Sequence, residues 1–198
     1  MSDIDELTQL VLRERQGRDR GWWRQMRDSF HPDSTVRLSW FRGSGPDFTT
    51  ESKKMSDNGN RAIHRLAPPT LHIKGDKAII EVSSGIEFRI PVNDIEVDLV
   101  SYARLFFRAE RREGVWKFLS LDAIYERDTM VPAIPGARLE LEPEQLEGFR
   151  PSYRLIGYHL RRLGYEIPDD LYGDDRPAEV TALYRSAFKW ADIAFESE

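Results

Sequence analysis

The stretch EVDLVSYARLFFRAERREGVWKFLSLDAIYER, residues Glu96–Arg127, decides the fold. Its β-rich composition predicts two long antiparallel strands, and Arg112-Glu113-Gly114 supplies the turn between them. Side chains alternate between the faces of a strand. Alternation places two sets on single faces: Val100, Tyr102, Arg104, Phe106 and Arg108 in the first strand, and Trp116, Phe118, Ser120 and Asp122 in the second. Apolar residues occur on both faces of both strands, so we expect both faces of the sheet to be covered.

The composition of the 198-residue chain favours one domain, or one domain with an extension. The chain has no cysteine, which excludes disulfides and thiolate metal sites. The net charge of -5 argues against nucleic-acid binding, and the arginines of residues 13–20 are predicted to form a solvated helix face. The acidic start lacks the apolar core of a signal peptide, and no apolar run approaches the ~20 residues that span a bilayer. We therefore expect a soluble, cytoplasmic protein without a nucleic-acid or membrane partner.

The other elements follow from hydrophobic periodicity and turn residues. Before the strand pair we predict two helices within residues 4–30, a strand at Thr35–Phe41, a short helix at Phe48–Met55, a brief strand at Arg61–Leu66, and a hairpin of Thr70–Ile73 with Lys77–Ser83. After it, helices are predicted at Pro151–Leu163 and from Pro177 onward. Helices segregated from an antiparallel sheet indicate an α+β fold, with the sheet curved over the opening helices to form a cone-shaped pocket. Residues 1–130 form this domain, and residues 131–198 form a helical extension packed on the body or on a partner.

This order of elements resembles the SnoaL-like branch of the nuclear-transport-factor-two-like superfamily. The residues that carry the resemblance are WWRQMRDSFHPDSTVRLSW (22–40), His64 shortly before the hairpin LHIKGDKAII (71–80), and REGVW (112–116) at the turn of the strand pair. The resemblance implies a cystatin-like curved sheet, a deep apolar pocket, a homodimer and chemistry without a cofactor. Enzymes of the superfamily include polyketide cyclases, scytalone dehydratase, ketosteroid isomerase and limonene epoxide hydrolase. Other members only bind a ligand or a protein, so the fold does not fix the function.

His64 lies where the scytalone-dehydratase-like members place a pocket histidine. A neutral imidazole in an apolar pocket can transfer a proton near neutral pH. The alternative is a core or rim histidine satisfied by backbone groups. In scytalone dehydratase an aspartate on the first helix, just before the tryptophan, orients this histidine. Asp19 is the only carboxylate in the corresponding stretch, but its register is shifted, and it can equally cap the second helix.

Asp122 is therefore the preferred acid–base partner of His64. Alternation places it on the face of Trp116 and Phe118, where burial would disfavour its charged form. Tyr102 and Arg104 share a face and are predicted to polarise a substrate oxygen. The alternatives are an ion pair between Asp122 and an arginine such as Arg104, and cross-strand packing for Tyr102.

The pocket wall is predicted to be aromatic and suited to a small apolar or cyclic ligand. The six candidate substrate-binding residues are Trp22, Trp23, Trp40, Phe106, Trp116 and Phe118. The four histidines lack ligand-like spacing, so no metal is predicted. The first hypothesis is a cofactor-free dehydratase, isomerase or cyclase acting on a hydrophobic cyclic carbonyl or hydroxylated substrate. The second is a non-catalytic binding or dimerisation module whose pocket is filled by a small apolar ligand or by its own tail, through Tyr153, Tyr184 or Phe188.

Overall fold

The long strand pair predicted from the sequence lies at the centre of one eight-stranded sheet. In the computed structural model, which describes residues 2–195, the pair consists of β6 (Ile95–Arg112) and β7 (Val115–Pro132). Glu113 and Gly114 form the turn between them, and both have a positive φ. The other strands are β1 (Phe30–Arg37), β2 (Arg42–Gly43), β3 (Ile63–Leu66), β4 (Thr70–Lys74), β5 (Lys77–Val92) and β8 (Tyr172–Gly173).

The strand order is β2-β1-β7-β6-β5-β3, with β4 paired to β5 and β8 paired to β7. Most neighbours are antiparallel, but β1 and the short β8 each run parallel to β7. Within the described residues five α-helices accompany the sheet: α1 (Asp3–Arg20), α2 (Trp23–Asp28), α3 (Gly45–Asp57), α4 (Arg154–Arg162) and α5 (Pro177–Ala191). The predicted α+β fold is confirmed. The chain differs from the prediction in the strand β8, which lies in a segment without a strand pattern, and in β1, which begins five residues earlier.

Local sequence explains how α1 reaches its full length. Ser2 and Asp5 form a capping box at its start, and Gly21 ends it in the left-handed conformation with φ 73°. Gly17 lies where α2 crosses, because a Cβ at this position would stand 2.9 Å from the backbone nitrogen of Met26. Glycine at this position therefore permits the close approach of the two helices.

The two faces of the sheet carry separate hydrophobic clusters. The inner face packs against α1, α3 and α4 through buried residues such as Leu105, Phe107 and Leu121. The outer face packs against α5 and contributes Ile79, Phe106 and Ile124. No helix within residues 2–195 is long and apolar enough to cross a membrane. The division of the chain at residue 130 and the homodimer stay predictions.

A β-bulge in β7 reverses the alternation of its side chains. Ala109 pairs with Phe118 and Arg108 pairs with Ser120, which leaves Leu119 without a partner across the ladder. Beyond the bulge, Asp122 pairs with Phe106 and shares its outer face. The prediction that Asp122 lies on the face of Trp116 and Phe118 is therefore wrong, because one extra residue moves the side chains that follow it to the opposite face, up to a second irregularity at Glu126.

Candidate active site

A small cavity lies on the inner face of the sheet, beneath α1, α3 and α4. Its volume is about 40 Å³, and most of its wall is apolar. The apolar lining consists of Leu38, Trp40, Phe48, Met55, Ala62, Ile86, Phe88, Leu105, Ala123, Ile156 and Leu160. The polar lining consists of Arg15, Arg18, Ser39, His64 and Tyr125. A few polar groups that converge in an apolar cavity are the usual form of a small-molecule site.

Asp19 holds His64 at the edge of this cavity with both of its carboxylate oxygens. Its Oδ1 accepts a hydrogen bond from Nδ1 of the imidazole at 2.6 Å. Its Oδ2 accepts from the backbone N–H of His64 at 2.8 Å. Asp19 is in the last turn of α1 and His64 is in β3, so the packing of this helix against the sheet brings the pair together. The hydrogen bond to the carboxylate assigns the imidazole proton to Nδ1, which leaves the lone pair on Nε2.

Arg15 is the neighbour of the other imidazole nitrogen, Nε2. Its Nη1 lies 3.3 Å from Nε2 of His64, and because a guanidinium can only donate, Nε2 is the acceptor. The same guanidinium forms a buried ion pair with Glu14 and lies 5.9 Å from the ring centre of Phe48.

The environment keeps the imidazole neutral and the carboxylate charged. Burial, together with the positive charges of Arg15 and Arg18, lowers the pKa of His64 to about 4, although Asp19 acts in the opposite direction. Burial opposes ionisation of Asp19, but the hydrogen bonds from His64 outweigh it and lower the pKa of this carboxyl group. At neutral pH the pair therefore consists of a carboxylate and a neutral imidazole.

Two further polar groups face the cavity. The Tyr125 hydroxyl donates to Oγ of Ser39 at 2.8 Å and accepts from the backbone N–H of Ser39 at 3.0 Å. Burial raises the pKa of Tyr125, so the phenol is protonated. The Arg18 guanidinium donates from Nη2 to the sulfur of Met55 at 3.3 Å and lies 6.0 Å from the ring centre of Trp40.

Of the four predicted catalytic residues, only His64 lines this cavity. Asp122 lies on the outer face in an open cleft with Arg37 and Arg108, and burial raises its pKa to about 6 against the effect of these two charges. Arg104, also on the outer face, forms ion pairs of 2.6 Å with Glu81 and 2.8 Å with Glu126.

Tyr102, the fourth of these residues, stacks under the guanidinium of Arg127 on the outer face. The predicted grouping of the four side chains therefore does not form. The physical reason is that the face of β6 shared by Tyr102, Arg104 and Phe106 is the outer one.

Among the predicted aromatic residues, only Trp40 lines the cavity. Trp22 is 52% exposed, and Trp23 borders a shallow groove against α3. Phe106 packs edge-on against Tyr184 of α5 on the outer face, with 5.1 Å between the ring centres. Trp116 and Phe118 are buried in the core: Trp116 donates to Asp3, and Phe118 stacks on Phe107. Phe106, Trp116 and Phe118 therefore have a structural role and do not form the wall of this cavity.

The arginines of the cavity were not found by sequence reasoning. The prediction that they form a solvated face is wrong for Arg15 and Arg18, which are 4% and 5% exposed. The sequence did contain a sign of their burial. Arg15 and Arg18 continue, at helical spacing, the stripe that Leu7 and Val11 begin, and this stripe is the side of α1 that faces the core. Charged residues on an apolar stripe indicate a buried polar site.

The tail contributes to the cavity through one helix. Ile156 and Leu160 of α4 form part of the wall, whereas Tyr184 and Phe188 of α5 pack on the opposite face of the sheet. Tyr153 lies behind Tyr125, with 5.7 Å between the ring centres. The tail thus contributes part of the cavity wall through α4, and no side chain of α5 enters the cavity. Within residues 2–195 no cluster of histidines and carboxylates is arranged to hold a metal ion.

Comparison with protein families finds that residues 1–122 match the model described as "SnoaL-like domain". A PEP2-like protein of Fusarium vanettenii is 28% identical over 186 residues, which cover 88% of this chain and 79% of that protein. Pea pathogenicity protein 2 of the same fungus is 27% identical over 185 residues, with the same shares of both chains.

Solved structures with the same fold extend the comparison. A hexachlorocyclohexane dehydrochlorinase, LinA type 2, has a TM-score of 0.57 at 17% identity and covers 69% of this chain and 94% of its own. A Nostoc punctiforme protein described as having a cystatin-like fold has a TM-score of 0.51 at 16% identity, and the match covers 68% of this chain and 97% of that protein. A putative scytalone dehydratase of Novosphingobium aromaticivorans has a TM-score of 0.50 at 17% identity, covering 71% and 100%. At these identities the likeness establishes the fold.

Proposed function

The chain belongs to the SnoaL-like domain family, and from this premise we propose that it is a cofactor-free acid–base enzyme in which His64 and Asp19 transfer a proton. The observation that carries the proposal is the 2.6 Å hydrogen bond between Asp19 and Nδ1 of His64, a residue that lines an apolar cavity and whose opposite nitrogen lies 3.3 Å from Nη1 of Arg15. A base whose tautomer is fixed by a buried carboxylate is the arrangement that proton abstraction requires.

In the proposed reaction the substrate displaces the Arg15 guanidinium from Nε2 of His64, and this nitrogen removes a proton from a carbon next to a carbonyl group or next to the carbon that bears the leaving group. Asp19 stabilises the imidazolium that forms, through the hydrogen bond to Nδ1. In a dehydration the C–H electron pair becomes the new C=C bond, the C–O bond breaks, and the imidazolium proton leaves with the hydroxyl group as water. In an isomerisation the same proton returns to a different carbon of the substrate.

The apolar wall favours a hydrophobic cyclic carbonyl or hydroxylated substrate. The chemistry agrees with the names of two structural neighbours, a dehydrochlorinase and a putative scytalone dehydratase, both of which describe eliminations. The closed cavity of about 40 Å³ is smaller than the roughly 150 Å³ that accommodates benzene in a protein core. Binding of a ring therefore requires the wall to move, and we expect α4, which carries Ile156 and Leu160, to shift outward.

A second candidate function is a ligand-binding module without turnover. The small volume of the cavity and its cover by α4 favour this reading. The two candidate functions differ in what they require of His64. A binding module requires only that the side chain fills its place in the cavity wall, whereas an enzyme requires Nε2 as a base.

The test is turnover of a panel of hydroxylated and carbonyl ring compounds, followed by mass spectrometry in H₂O and in D₂O. We expect His64→Ala to reduce turnover by about 10³-fold and Asp19→Asn by about 10²–10⁴-fold, the range typical of a general base and of the carboxylate that orients it. Tyr102→Phe on the outer face is the matched control and should leave the rate unchanged. Wild-type turnover in His64→Ala would reject the mechanism, and tight binding of the panel without conversion would favour the second candidate.

A further inference from the structure

Arg18 is a buried cation in the last turn of α1. Its side chain is in the cavity wall, and the residue is only 5% exposed. Within residues 2–195 no carboxylate oxygen lies within ion-pair distance of its guanidinium, and the one hydrogen bond that the guanidinium donates runs to the thioether of Met55. A thioether is a weak acceptor, and a guanidinium has five donors to satisfy.

The neighbouring carboxylates have other partners. Arg15 is bound to the buried carboxylate of Glu14. Both oxygens of Asp19 accept hydrogen bonds from His64. Neither carboxylate forms an ion pair with Arg18, and burying its charge is costly. Burial, with the repulsion of Arg15, lowers the pKa of Arg18 to about 10, although the charges of Asp19 and Glu14 act in the opposite direction, and Arg18 stays charged at neutral pH.

A purely structural role does not account for this side chain. Contact with Trp40 and Met55 could be made by a methionine or a leucine without the cost of burying a charge. An arginine at such a position provides a planar fork of donors that matches a carboxylate or another delocalised oxyanion.

We propose that Arg18 binds the anionic group of the ligand, and that the molecules taken by this cavity are small hydrophobic carboxylates or oxyanions. This inference rests on the function proposed for His64 and Asp19 and adds the chemical class of the substrate. The anion occupies the Arg18 side of the cavity, and the apolar part of the molecule packs among residues such as Phe48 and Leu105.

Binding of an anion at Arg18 also acts on the base. The positive charge of Arg18 is one of the causes that lower the pKa of His64. An anion that compensates this charge raises the pKa of His64 toward neutrality, where a general base is most effective. The ligand then strengthens the base that acts on it.

The test is the binding of acetate and benzoate, with benzyl alcohol as the neutral comparison, measured by calorimetry and by tryptophan fluorescence. We expect wild-type protein to bind both carboxylates, and Arg18→Met to lose about tenfold to a hundredfold in benzoate affinity with little change for benzyl alcohol. Arg18→Lys should retain part of the affinity. Arg13→Met is the matched control on the exposed side of the same helix and should bind as wild type does.

The inference is overturned if neither carboxylate binds wild-type protein, or if Arg18→Met and Arg13→Met bind benzoate equally well. Should Arg18→Met fail to fold, NMR titration of His64 in wild-type protein gives a second readout, because benzoate must then raise the pKa of this residue. Turnover does not enter these measurements. If the protein converts no substrate but binds benzoate through Arg18, the proposed reaction is rejected and the anion site is supported. If the protein is active and Arg18→Met leaves benzoate binding unchanged, the anion site is rejected and the reaction is supported.

Discussion

At the scale of single residues, His64 has an environment that favours one protonation state. Its side chain is only 6% exposed, Asp19 binds Nδ1, and Arg15 approaches Nε2. Burial and the two arginines lower its pKa from 6.5 to about 4. The same interactions that keep the base neutral make the folded state sensitive to acid.

We expect the free energy of unfolding to decrease as the pH falls from about 6.5 to about 4. In this window the unfolded chain protonates His64 whereas the folded protein does not, so this stabilisation is complete above pH 6.5 and is lost as the pH falls through 4. The difference between the two pKa values corresponds to at most about 3 kcal/mol. Urea denaturation at pH 7 and pH 4.5 measures it.

His64→Asn should show a weaker dependence on pH than wild type, since it removes the group that titrates. The exposed His72→Asn serves as the control and should keep the wild-type dependence. His159, whose pKa burial also lowers to about 4, contributes in the same window and explains a remaining slope. Identical slopes in His64→Asn and wild type would contradict the buried, neutral state of His64.

Asp122 presents the opposite case, because burial raises its pKa from 3.8 to about 6. Its contribution to stability is present below pH 3.8 and is lost as the pH rises through 6, since the folded protein must then hold a poorly solvated carboxylate. We therefore expect Asp122→Asn to stabilise the protein at pH 8 by roughly 1–2 kcal/mol, allowing for partial exposure to solvent.

The stabilisation by Asp122→Asn should disappear near pH 3.8. Turnover by this variant should be unchanged, because Asp122 lies on the outer face of the sheet. Denaturation curves at the two pH values and the ring-compound assay check both parts. A variant that is less stable at pH 8 would show that Arg37 and Arg108 stabilise the carboxylate more than burial destabilises it.

At the scale of elements, α4 is the part of the cavity wall that we expect to move when a ring binds. Oδ2 of Asp128, in β7, accepts hydrogen bonds from the backbone N–H groups of Leu155 at 2.7 Å and Ile156 at 2.9 Å. A carboxylate that binds the free N–H groups of the first turn stabilises a helix start. The same strand that forms the floor of the site therefore anchors the helix that covers it.

Asp128→Ala should lower the free energy of unfolding by about 1–2 kcal/mol, the usual cost of losing a helix cap. It should also increase amide hydrogen exchange selectively in residues 154–162, and thereby speed the entry of ring ligands into the cavity. Asp128→Asn, which keeps an oxygen acceptor, is the conservative control and should show a smaller effect. Unchanged protection of α4 in Asp128→Ala would mean that packing of Ile156 and Leu160 alone holds the helix.

At the scale of the whole molecule, the sheet separates two environments. The inner face, with α1, α3 and α4, encloses the polar groups proposed to do chemistry. On the outer face, α5 packs on Ile79, Phe106 and Ile124. Part of the outer face is therefore occupied by the chain itself, and a second copy would have to bind elsewhere on it.

The sequence by itself determined the α+β fold, the central strand pair, the family and the presence of His64 in a pocket. These depend on local periodicity, on turn residues such as Gly114, and on the order of elements along the chain, all of which can be read without knowing long-range contacts. The aromatic wall was predicted less well, because hydrophobicity shows that residues such as Trp116 and Phe118 are buried but not in which layer.

Only the tertiary structure decided which acid meets His64. Asp19 is 45 residues away in the chain and reaches the imidazole because α1 packs across β3, a long-range contact that local spacing does not encode. Asp122 was placed on the wrong face because the bulge at Leu119 adds one residue, and side-chain direction in a strand has a period of two. Local patterns specify the elements, whereas packing between elements and a single irregularity in a strand decide which side chains meet.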